Sequence, residues 1–119
     1  MYDHIGLKVN DLAASRRFYE TALAPLGHVL GSHDDSYAGI GPAGEPALWL
    51  YAAEGAKGPG THIAFRAADH KAVEAFHKAG LTAGGSDNGG AGPRTDYSPT
   101  YYAAFLIDPD GNNVEAVCP

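Results

Sequence analysis

Asp3-His4-Ile5-Gly6-Leu7-Lys8-Val9 returns 58 residues later as Thr61-His62-Ile63-Ala64-Phe65-Arg66-Ala67. The same offset joins Asp11 to Asp69, Phe18 to Phe76, Leu23 to Leu81 and Gly27 to Gly85. A chain that repeats a strand-then-helix pattern in this way is built from two copies of one supersecondary unit. The repeat sets the boundaries: one domain over 1–119, with a first module over 1–54, a Gly/Pro-rich linker over 55–60 and a second module over 61–119.

Each copy opens on an alternating stretch that reads as a strand, with Ile5, Leu7 and Val9 on one face in the first and Ile63, Phe65 and Ala67 in the second. Asp11 and Asp69 stand where an N-cap carboxylate can accept from first-turn N–H groups. Leu12, Ser15, Phe18, Tyr19, Ala22 and Leu23 recur at helical spacing, and Pro25 with Gly27 stops that helix. Val29–Ser32, Tyr37–Ile40 and Ala47–Ala52 follow as short strands separated by turn residues. In the second copy the helix carries Ala72, Val73, Phe76 and His77 and is expected to end at Gly80, with a weak strand near Leu81–Ala83. Gly84–Pro93 holds five glycines and a proline and reads as a mobile loop. Thr100–Ile107 and Asn113–Cys118 read as strands around the turn Asp108-Pro109-Asp110-Gly111-Asn112. Each half is then β-α-β-β-β. One helix covers only the back of such a sheet, so the front must meet a second sheet, from this chain or from another.

Composition narrows the partners. A formal charge of −6 with scattered basic residues opposes nucleic acid and an anionic membrane surface, so a small molecule is the expected ligand. No apolar run approaches the roughly 20 residues of a bilayer span. The first residues lack the pattern of a secretory signal, and the single Cys118 suits the reducing cytoplasm. Cys118 is expected to be inert.

Strand parity brings the chemistry together. If the apolar residues of the opening strands face the helices, His4 and His62 point to the opposite, concave side. In the last strand Val114 and Ala116 suit the helix side, leaving Asn113, Glu115 and Val117 concave. Two imidazoles and a carboxylate in one cup suit a divalent ion (Fe, Mn, Zn, Ni or Co) with positions left for water and substrate. Lone strand histidines are more often packed or solvated than ligands. Two at one repeat position, among six in 119 residues, are a poor match to chance. His28, His33, His70 and His77 lack such pairing and are read as surface residues.

His-Ile near the N-terminus, Phe18-Tyr19-Glu20, His62-Ile63-Ala64-Phe65, and Asp108-Pro109-Asp110-Gly111-Asn112 followed by Glu115 resemble the vicinal-oxygen-chelate superfamily. That superfamily includes glyoxalase I, the bleomycin- and fosfomycin-resistance proteins and the extradiol dioxygenases. The resemblance implies an α+β fold: two tandem βαβββ modules forming a curved eight-stranded mixed sheet around a cup, helices outside. It implies one divalent metal on His4, His62 and Glu115, a small substrate with vicinal oxygens, and a homodimer that can complete the site across chains. Glyoxalase I has a fourth ligand, a Glu or Gln on the last strand of the first module. Aligning Gly41-Pro42-Ala43-Gly44 with Asp108-Pro109-Asp110-Gly111 sets Leu48 against Glu115, and no carboxylate stands there. This departure counts against glyoxalase I activity and brings the set closer to the His, His, Glu pattern of the fosfomycin-resistance enzymes. The alternative within the same fold is a binding protein that sequesters a ligand without chemistry.

Among further candidates, Lys8 and Arg66 share a repeat position on the concave parity and could bind an anion, although a solvated strand end explains them as well. Arg94, Tyr97 and Tyr101 could line a pocket or serve an interface, as could Tyr102. Trp49 and Tyr51, of parity opposite to Leu48, are expected in the core with Phe18, Phe76, Leu23 and Leu81.

Overall fold

The computed structural model describes residues 1–119. Strand β1 (Ile5–Val9) leads into helix α1 (Leu12–Leu23) and a 3-10 turn (Ala24–Leu26), followed by β2 (Val29–His33), β3 (Tyr37–Gly41) and β4 (Leu48–Ala52). The second module repeats this as β5 (His62–Arg66), α2 (His70–Thr82), β6 (Ser86–Pro93), β7 (Tyr102–Ile107) and β8 (Asn113–Cys118). The two βαβββ modules of an α+β fold are therefore present. Hydrogen bonding divides the eight strands into two sheets of four, ordered β1-β4-β3-β2 and β5-β8-β7-β6. In each, the opening strand runs parallel to the last, and the others are antiparallel. No helix is long and apolar enough to cross a membrane.

The helix starts follow from local chemistry. Asp11 Oδ1 accepts from the Ala14 N–H at 3.1 Å, and Asp69 Oδ1 from that of Ala72 at 2.8 Å. The helix-facing sides of both sheets and the inner faces of both helices meet in a single core of 15 residues, centred on Phe18, Tyr19, Phe76, Leu50, Leu106 and Val114. With their helix sides joined in one core, both concave faces look outward.

Side-chain hydrogen bonds centred on the 108–112 turn help tie the modules together. Asp108 is buried at 4% exposure and accepts from the backbone N–H of Asp110 (2.9 Å) and Asn112 (2.8 Å) and from Asn112 Nδ2 (3.0 Å). It also accepts from the hydroxyl of Tyr19, across 89 residues of sequence. Burial first, and the Asp108 charge second, hold the Tyr19 phenol far above its ordinary pKa, so it remains a donor. Asp110 reaches back to the Asn10 N–H and the Ser15 hydroxyl at 3.4 and 3.5 Å.

The structure corrects the sequence reading at several places. Gly80 does not end α2, which continues to Thr82. It is instead a point of close approach, where an added Cβ would lie 2.2 Å from Leu106 Cδ1 and 3.4 Å from Ala22 Cβ. Leu81, expected in the core or a strand, sits in the last turn of α2 at 41% exposure. The glycine-rich stretch is strand β6 rather than a loop, paired with β7 through two register shifts around Gly89. Its glycines carry no side chains to display a period of two, so pattern reasoning could not see it. Gly89, at φ 143°, takes a conformation closed to other residues.

Trp49 and Tyr51 are the largest correction. Leu48 and Leu50 are the buried residues of β4, at 4% and 0% exposure, whereas Trp49 is half-buried and Tyr51 is 44% exposed on the concave side. β1 pairs with β4 through Gly6↔Trp49, and β5 pairs with β8 through Ala64↔Glu115. Gly6 and Ala64 are repeat equivalents, so the counterpart of Glu115 is Trp49, not Leu48.

Candidate functional site

His62 opens β5, and Glu115 lies midway along its neighbour β8. Their side chains meet on the concave face, with His62 Nε2 3.0 Å from Glu115 Oε2. His62 is half-exposed, while Glu115 is only 3% exposed. The other ring nitrogen, Nδ1, is 3.2 Å from the carbonyl oxygen of Asn113, the residue paired with His62 in the ladder. The Asn113 carbonyl and the Glu115 carboxylate both accept, so a neutral imidazole can donate to only one of them. A divalent ion beside Nε2 would let Nδ1–H donate to the carbonyl while Nε2 and the carboxylate both served as ligands.

Glu115 Oε1 is held by the hydroxyl of Tyr101 in a short hydrogen bond. Burial, and then this bond, push the Tyr101 phenol up to about 12, so it stays protonated at neutral pH. Tyr97 packs edge-on against Tyr101, with ring centroids 5.0 Å apart. On the other flank the Phe105 ring stacks beside His62 at 6.3 Å. The Arg94 guanidinium lies 5.4 Å from the Phe105 centroid and donates to the carbonyl oxygens of Gly90 (2.7 Å) and Gly92 (2.9 Å). An added Cβ at Gly89 would come within 3.3 Å of that guanidinium, so the bare strand β6 makes room for it.

One continuous patch therefore holds His62, Glu115, Tyr101, Tyr97, Phe105 and Arg94. Phe105 is absent from the sequence reading. Its signal was its place directly opposite Glu115 in the β7–β8 ladder, a register that needs pairing knowledge.

His4 lies elsewhere. It precedes β1 on the rim of the first module, exposed, with Nδ1 2.7 Å from Asp3 Oδ1. Within one chain no three His, Cys, Asp or Glu side chains gather closely enough to hold a metal ion. The chain unites two of the three expected ligands and leaves the third apart. Yet His4 resembles His62 in one respect: each has its Nδ1 against an oxygen, Asp3 Oδ1 for His4 and the Asn113 carbonyl for His62. This donor set fits a borderline divalent cation.

Lys8 and Arg66 are exposed strand residues without ion pairs, as a solvated strand end would be. Two histidines read as surface groups are in part enclosed. His28 is half-buried against Phe65, and burial lowers its pKa. His77 bonds to Asp87 at 2.9 Å with only 16% of its side chain exposed. The backbone N–H of Gly89, and then His77, hold the Asp87 carboxyl below its usual range.

A paired βαβββ fold carrying an imidazole and a carboxylate on adjacent parallel strands defines a class with a ligand-binding cup. The chain belongs to the Glyoxalase/Bleomycin resistance protein/Dioxygenase superfamily, whose sequence model matches residues 2–116. It is similar to a glyoxalase/bleomycin resistance protein from Albidiferax ferrireducens, at 30% identity and a TM-score of 0.85 over 98% of both chains. A glyoxalase I mutant from Zea mays is 31% identical at a TM-score of 0.74, over 96% of this chain and 44% of the maize chain. A glyoxalase/bleomycin resistance protein/dioxygenase family enzyme from Burkholderia phytofirmans PsJN shares the fold at 16% identity and a TM-score of 0.73, over 97% and 95%. No functionally curated protein matches the chain.

Proposed function

We propose that the protein is a cytoplasmic, divalent-metal-dependent enzyme that acts as a homodimer on a small substrate with vicinal oxygens. In this reading His62 and Glu115 of one copy and His4 of the other are the ligands of one ion, so each dimer carries two sites. The observation that carries it is the His62–Glu115 pair, 3.0 Å apart with the imidazole oriented by the Asn113 carbonyl. The separation of His4 from that pair, and the outward concave faces, support completion by a second copy.

A divalent ion bound there would supply Lewis acidity and a template for two neighbouring substrate oxygens. The chain's own groups do the rest. Tyr101 steadies Glu115 and holds its phenolic proton against Oε1. Arg94 places a fixed positive charge over Phe105, suited to an anionic substituent, and Phe105 with Tyr97 gives an apolar flank. Because Trp49 occupies the place equivalent to Glu115, the first module offers no carboxylate for the proton shuttle of glyoxalase I. Dioxygenase or transferase chemistry is the better match than that lyase reaction.

Sequestration of a ligand without turnover is the second reading, favoured by the exposed aromatic side chains of β4. Metal analysis of protein purified without chelator tests the first. About one ion per chain is expected, lost in His62→Ala, Glu115→Ala and His4→Ala. Unchanged occupancy in all three variants would refute the ligand set.

A further inference from the structure

On the concave face of the first module, away from the His62–Glu115 pair, aromatic rings pave the sheet. Trp49 is flanked in the ladder by glycine on both sides, Gly6 in β1 and Gly39 in β3. Its benzo ring rests on Gly39, where an added Cβ would meet Cζ3 at 2.6 Å. Tyr51 leans over Gly6, where a Cβ would meet its Cε2 at 3.0 Å. Tyr37 lies beside Trp49 with centroids 6.0 Å apart and shares its hydroxyl with Ser32. The glycines let the rings settle on the backbone, with Tyr51 44% exposed and Trp49 and Tyr37 part-exposed.

We propose that this floor stacks a planar aromatic ring, so that the cup's small molecule is an aromatic compound rather than an aliphatic one. The proposal rests on reading the cup as the ligand site, and it supplies the ligand class. Three observations carry it. The rings stay part-exposed while Leu48 and Leu50 on the same strand are buried, so they are surplus to the core. They border an open bowl of about 590 Å³ that also reaches His4, which is the size of a small organic ligand's site. Lys8, across the ladder from Tyr51, carries a free positive charge, whereas Asp3 is engaged by His4. That balance suits a neutral or acidic ring over a cationic one, and ring faces prefer offset stacking on one another.

The chain has one tryptophan, so its indole N–H gives a single NMR resonance that reports on the floor. Full-length protein stripped of metal would be titrated with catechol and, separately, with trans-1,2-cyclohexanediol, which has the same oxygens and no flat ring. Catechol should shift the indole resonance saturably, and the cyclohexanediol should not. Tyr51→Leu, at an exposed position, should weaken catechol about fivefold or more by the same resonance. Trp49→Leu should do likewise by calorimetry. Equal response to the two probes, no response to catechol at millimolar concentration, or unchanged affinity in both variants would overturn the proposal. A resonance that moves only on dilution would also overturn it, marking the floor as a contact between copies. Metal content is measured on the same samples. Stacking without metal would sink only the ligand set, and metal without stacking only the aromatic floor.

Discussion

Tyr19→Phe removes one oxygen from the centre of the molecule and leaves no cavity, since Tyr19 is fully buried and the ring stays. What is lost is the hydroxyl that donates to the Asp108 carboxylate. A hydrogen bond to a charged group is worth about 1.5–3 kcal/mol. Asp108 keeps three other donors, two backbone N–H groups and the Asn112 amide, so it is not orphaned and the lower part of that range applies. A loss of about 2 kcal/mol is expected. With a urea m-value of about 1.5 kcal/mol/M, the midpoint should fall by about 1 M with m unchanged. The assay is urea unfolding followed by circular dichroism at fixed protein concentration, because a dimer's stability depends on that concentration. A second arm uses pH. The folded-state pKa of Tyr19 is raised, so its contribution is complete below the unfolded value of about 10 and is lost as pH climbs above it. The parent should therefore lose more stability above pH ~10 than Tyr19→Phe does. A midpoint change worth less than about 0.5 kcal/mol, or equal alkaline losses in both proteins, would refute the claim that this bond couples the modules.

Three other tests follow from the geometry. Mixing unfolded His4→Ala and Glu115→Ala chains in equal amounts and refolding them should restore roughly a quarter of parental metal, since half the dimers are mixed and each has one intact site; no recovery would place the site within one chain. Gly80→Ala should destabilise by about 1–3 kcal/mol despite a better helix propensity, because its Cβ needs the space of Leu106 Cδ1; thermal unfolding at or above the parental temperature would contradict this. The lowered pKa of His28 gives stability that is full above its unfolded value of about 6.5 and lost as pH falls below it, so thermal unfolding from pH 7 to 5 should drop more steeply in the parent than in His28→Leu. Parallel profiles would remove His28 as the cause.

Much of the candidate site was legible because strands have a period of two and repeats have a fixed offset. His62 and Glu115 on one face followed from parity alone, and the ladder sets them on adjacent strands. The same arithmetic failed at Trp49, where an alignment of turns was off by one residue and moved two aromatic side chains to the wrong face. β6 was missed because eight residues with three glycines write no alternation.

The sequence by itself determined the module repeat, the helix caps, and the shared concave face of His62 and Glu115, since these depend on local periodicity and short-range hydrogen bonding. Only the tertiary structure decided that the modules join through their helices. That packing turns both concave faces outward, pairs His62 with Glu115 and leaves His4 apart. It is fixed by contacts between residues far apart in the chain, such as Gly80 against Leu106 and Ala22, or Tyr19 with Asp108, and no local pattern encodes such contacts.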